Sequence, residues 1–125
     1  MNLKGNILIT TTDFGGVYLL QDVVSVSLPV NERMMIKKNH FEPYNLTGNE
    51  KRICIVIHGD ELEGQYVCYE LIRKLSENRH LLNGIVDIYP SMNPLGMDSI
   101  KREMPIFDLD MNMIFPGSET GAVAE

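Results

Sequence analysis

The sequence contains no run of about 18 apolar residues, the length needed for a membrane-spanning helix. No secretory leader is expected either. The apolar run Ile7–Thr10 behind the first six residues is too short for one, and no small-residue cleavage pattern follows. A cytoplasmic protein is therefore expected. Basic clusters are missing as well. Lys and Arg number 11 against 17 Asp and Glu, for a net charge of −6, and the acids are scattered. This excludes the electrostatic footprint of a partner for nucleic acid or anionic membrane; the acidity mainly serves solubility.

Cysteine is scarce. The two present, Cys54 and Cys68, lie inside apolar runs and are expected to be buried free thiols. Neither forms a metal motif with a nearby histidine. Internal repeats and low-complexity stretches are also absent. What remains is an ordinary globular composition, 44% apolar and 22% charged over 125 residues, enough for one domain with a core.

Residues 1–50 read as a strand-rich lead-in of that domain. Ile7–Ile9 is apolar, Asp13–Gly16 is a turn, and Val24–Val30 alternates as a half-buried strand that Pro29 pushes to an edge or an end. Residues 39–50 read as a loop. The pattern changes at Lys51. Ile53–Ile57 is continuously apolar and predicts a strand covered on both faces. A helix is expected from about Glu63 to Glu77. Its apolar face is Val67, Cys68, Leu71, Ile72 and Leu75, with Glu70 and Lys74 pairing opposite. Ile85–Tyr89 is the next strand, stopped by Pro90. Strand, helix and strand in this order predict a crossover in an α/β domain with a mixed, largely parallel sheet flanked by helices. Residues 91–117 read as a long irregular segment, the kind that usually carries function. Ser118 or Thr120 is then suited to cap the start of a helix, and a helix opened and not completed suggests that residues 51–125 are part of a larger domain.

Three segments carry chemistry. His58-Gly59-Asp60-Glu61 ends the buried strand, where sites form in open α/β sheets. An imidazole and a carboxylate three residues apart can converge on one metal ion, with Gly59 keeping the approach open; a polar turn before a helix is the plainer alternative. Asn93-Pro94-Leu95-Gly96 follows the next strand and reads alone as a turn. Residues 108–117 offer Asp108, Asp110 and Asn112 with calcium-loop spacing. Met113 takes the place of the required glycine and Pro105 spoils the entering helix, so that reading is rejected. An aspartate-nucleophile phosphatase is rejected too, because no clear buried strand precedes the aspartates.

Taken together, residues 57–64, 90–96 and 108–117 resemble the succinylglutamate desuccinylase/aspartoacylase family of the zinc carboxypeptidase superfamily, over about residues 50–121. The resemblance implies an incomplete zinc carboxypeptidase-like fold and a zinc-dependent hydrolase that cleaves N-acyl amide bonds with a metal-activated water. His58 and Glu61 match two zinc ligands. Asn112 matches a substrate-carboxylate asparagine, and Arg102 falls, more loosely, where the family carries an arginine. The third ligand, a histidine, and the general base are expected beyond Glu125, and His40 and His80 are expected to be solvated rather than to substitute. Met113 stands where the family usually has an arginine, which a methionine cannot replace as a carboxylate partner. Two other expectations follow: a non-catalytic relative that binds a ligand or partner, and a metal site completed in trans by a homo-oligomer.

Overall fold

The computed structural model describes residues 7–11, 17–105, 107–118 and 120–121. Five strands form one sheet: β1 (Ile7–Thr11), β2 (Val17–Ser27), β3 (Arg33–Phe41), β4 (Arg52–Val56) and β5 (Ile85–Tyr89), in the order β1-β2-β3-β5-β4. The helices are α1 (Leu62–Glu77) and a short α2 (Pro94–Ser99). The mixed α/β sheet and the strand-rich lead-in are as expected. Parallel pairing is confined, among the described strands, to β4 with β5 across the α1 crossover; β1–β2, β2–β3 and β3–β5 are antiparallel. No helix among the described residues is long and apolar enough to cross a membrane.

The lead-in is more regular than its sequence. β2 begins earlier than the alternating Val24–Val30 segment and ends before Pro29, which opens a 3-10 turn over Pro29–Asn31. β3 extends to Phe41, so the expected loop starts only at residue 42. Along β3, burial falls on Met34 and Ile36 and then on Asn39 and Phe41, which by strand alternation lie on opposite faces. The expected turn at Asp13–Gly16 lies outside the described residues.

On one face, Phe41, Ile88 and Cys68 are buried together, packed by Ile55, Ile57, Leu71, Ile72, Leu75, Leu82 and Val86. This is the seat of α1. Val67, assigned to its apolar face, instead points outward and is exposed. Arg73 bridges Glu70 and Glu77, so Lys74 is not Glu70's partner.

β4 overturns another expectation. It is the edge strand, and Ile53 (59%) and Val56 (55%) are largely exposed. Cys54 is exposed too; only Cys68 is a buried thiol. A continuous apolar run records what a strand is suited to bury, and among the described residues β5 is β4's only neighbour in the sheet.

A charged cluster crosses β3, β5 and β4. Asp87 is fully buried and meets His40 Nδ1 at 2.6 Å, Arg52 Nη1 at 2.9 Å and Lys38 Nζ at 3.2 Å. Burial pushes the Asp87 carboxyl up, but the hydrogen bonds from His40 and Lys38 outweigh it and hold the group below its usual range. His40 is therefore largely enclosed, with its other nitrogen 3.3 Å from Glu42, and is not the solvated residue expected. His80 is exposed, as expected.

Candidate functional site

β4 ends at Val56, and the turn His58–Glu61 leads directly into α1, with Glu61 at the N-cap position. The Glu61 side chain folds back onto His58 rather than capping the helix. Its Oε2 accepts from the His58 backbone amide at 3.1 Å, and its Oε1 lies 3.0 Å from Nδ1. These hydrogen bonds, the backbone one first, hold the Glu61 carboxyl below its usual range, with the charge of Arg102 a lesser cause.

Gly59 serves a different purpose from the one expected. A Cβ there would stand 2.5 Å from Gly96 C and Lys101 O and 2.6 Å from Met97 N. The glycine therefore lets the turn dock on the backbone of α2 and its exit, rather than clearing a path to a metal.

That docking partner is built by Asn93. It is buried rather than a plain turn residue. Its Oδ1 accepts from Gly96 N at 2.8 Å and caps α2, and its Nδ2 donates to Arg102 O at 3.2 Å. The segment expected to be irregular thus opens with a helix that fixes the backbone of Arg102. Asn93→Ala should destabilise the chain by about 2 kcal/mol in urea unfolding, since a cap is lost and a part-buried carbonyl is left unpaired.

Further along, Met104 is buried and its amide bonds Leu109 O at 2.9 Å, which closes a loop over residues 104–109. Asp110 emerges from it and joins the other side chains. Its Oδ2 takes Arg102 Nε at 2.7 Å and its Oδ1 takes the Asn112 amide at 2.9 Å. The Arg102 bond is the first cause, and the Asn112 bond the second, of a lowered Asp110 carboxyl; the same contact with Asp110 raises the Arg102 guanidinium. Sequence reasoning gave Asp110 no role. The available signal was an Asp two residues ahead of an Asn, the spacing of an Asx-turn.

The four expected site residues, His58, Glu61, Arg102 and Asn112, are thus brought together with Asp110. As Asn112 is turned, its Nδ2 donates to His58 Nε2 at 2.9 Å. The neutral ring then carries its proton on Nδ1 and gives it to Glu61. Arg102 Nη1 stands 3.4 Å from the same Nδ1, as a neighbouring charge rather than a donor to it. An imidazole nitrogen and a carboxylate oxygen 3.0 Å apart are two donors suited to one cation of borderline softness. Among the described residues no three His, Cys, Asp or Glu side chains form a metal-sized cluster. The helix start expected at Ser118 falls largely on residues outside those described.

The catalytic-domain model of succinylglutamate desuccinylases and aspartoacylases matches residues 49–125. The chain belongs to the succinylglutamate desuccinylase/aspartoacylase family. Solved structures with the same fold cover 99% of it. An aspartoacylase family protein of Mesorhizobium loti is 24% identical with a TM-score of 0.70. The product-bound ectoine utilization protein EutE of Ruegeria pomeroyi is 22% identical at 0.71, and a succinylglutamate desuccinylase of a Silicibacter species is 22% identical at 0.69. The chain spans 37–38% of the length of these structures. Among curated proteins none matches. The His58–Glu61 turn lies inside the matched region.

Proposed function

We propose that this chain forms the metal-binding front of a zinc-dependent amide hydrolase acting on N-acyl amino acids or related small molecules. His58 and Glu61 are two of the metal's ligands, and Arg102 and Asn112 lie beside the substrate. The reading is supported above all by the 3.0 Å approach of His58 Nδ1 to Glu61 Oε1 at the tip of β4. Donors at about 2.0–2.2 Å from one zinc ion can stand at that separation, and the pairing of nitrogen with oxygen suits zinc. When bound, zinc polarises an amide carbonyl and lowers the pKa of its water to about 7. The chain's own part is positional. Glu61 holds the imidazole, Asn112 fixes the ring's other nitrogen, and Asp110 aims Arg102 into the site. The general base and a third ligand are not assigned to any described residue.

Two protein ligands bind zinc weakly, since a catalytic site uses three. Competition with a chromophoric chelator should show zinc binding by the chain that falls at least about tenfold (~1.4 kcal/mol) in His58→Ala and in Glu61→Ala. Equal affinity in the variants would end the metal reading. A family-length protein containing this chain should release a free amine from N-acyl amino acids and stop when a chelator is added. A non-catalytic, ligand-binding relative is the second reading, favoured by Met113, which is 82% exposed where a carboxylate partner was expected. Saturable N-acyl binding without turnover in the metal-loaded family-length protein would select it.

A further inference from the structure

We propose that Arg102 is a built-in competitor of the metal, setting its positive charge beside the His58–Glu61 pair when no ion is bound and having to swing aside before one can enter. The inference rests on the zinc reading above and adds a residue that sets the affinity of that site.

The geometry fixes the guanidinium where it would compete. Its Nη1 lies 3.4 Å from His58 Nδ1, the same nitrogen that Glu61 Oε1 approaches at 3.0 Å. The positive charge therefore sits against the two donors that would share the ion. It is held there from two sides. Asp110 Oδ2 grips Nε at 2.7 Å, and Asn93 Nδ2 holds the residue's own carbonyl at 3.2 Å. Asp110 is itself anchored by the Asn112 amide.

Metal binding at Nδ1 needs a free lone pair there, so the ring proton must reside on Nε2. Asn112 must then turn its carbonyl oxygen to that nitrogen in place of its amide. A divalent ion must also come within a few ångströms of a fixed guanidinium, and like charges at that distance in a partly enclosed site repel strongly. The turn of Asn112 relieves the first conflict, and a motion of Arg102 relieves the second. Turning the guanidinium out of its contact with Asp110 carries Nη1 away from His58 and leaves room for the ion. Arg102 thus lowers the affinity of the site relative to one without it.

The test is zinc affinity, measured on the full chain by chelator competition at fixed pH and ionic strength. Arg102→Gln should bind zinc more tightly than the unaltered protein by roughly ten- to a hundredfold, the range over which neighbours change a metal site. Arg102→Lys, which keeps the charge, should stay closer to the unaltered protein and guards against a merely structural effect. Arg102→Gln combined with Asp110→Asn separates loss of the cation from release of the Asp110 carboxylate. A gain that persists in the double variant supports the proposal, and one that vanishes there overturns it. Unchanged or weaker binding in Arg102→Gln overturns it while leaving the zinc reading intact, provided His58→Ala still abolishes binding. No zinc binding in any form overturns both. In the unaltered chain the Arg102 Nε–H resonance should shift as zinc is added; an unmoved signal would also count against the proposal.

Discussion

Gly59→Ala is expected to destabilise the chain by about 3 kcal/mol, read as a lower urea midpoint, and to weaken zinc binding with it. The added methyl would stand 2.5 Å from two backbone atoms of the α2 segment, Gly96 C and Lys101 O. Backbone cannot step aside as a side-chain end can, so β4's tip and α2 must separate. That separation also draws His58 away from Arg102 and Asn112, which reach it from the far side of the contact. Gly48→Ala is the matched control. It has positive φ but nothing within 4 Å of its would-be Cβ, and should cost only about 1 kcal/mol with no effect on metal. A Gly59→Ala chain as stable as the Gly48→Ala chain would show that the two segments are not closely docked.

The same contact marks the limit of what the sequence could reveal. α1, β5 and the turn at His58 were legible because helical spacing, a β-branched run and a glycine announce themselves locally. β3 was not, because Lys38, Asn39 and His40 interrupt its apolar pattern. Lys38 and His40 are tolerated there because Asp87, 47 residues beyond His40, neutralises what would otherwise be stranded charge. The continuous run in β4 was read as covered on both faces, yet an apolar strand does not specify how many neighbours it has. At the site, the motif named His58, Glu61, Arg102 and Asn112. It was silent on Asp110, whose role appears only when the loop closed by Met104 and Leu109 places it against Arg102.

Asp87→Ala is expected to cost about 3 kcal/mol at neutral pH, toward the lower end of what breaking a buried ion pair costs because Arg52 is half exposed. The substitution leaves Lys38, His40 and Arg52 facing one another without an anion and opens a gap beneath them. Asp87→Asn keeps the shape and removes the charge, and so isolates the electrostatic share. The folded carboxyl titrates below its unfolded value of about 3.9. Its contribution is therefore fully present above that pH and is lost as pH falls through the lower folded value. The stability difference between the unaltered chain and Asp87→Asn should be full at pH 7 and narrow below about pH 4. A gap that stays constant from pH 7 to pH 3 in urea titrations would show that the carboxylate is not held by its cations.

The amide of Asn93, sealed from water, ties the first turn of a short helix to the carbonyl of Arg102. The arginine's address is thus written by a residue that has no dealings with metal or substrate. Anyone transplanting this site to another scaffold would have to move the whole stretch from 93 to 102, together with the glycine it leans on. An engineer who varied the arginine alone would be changing the occupant of a position whose coordinates are set elsewhere.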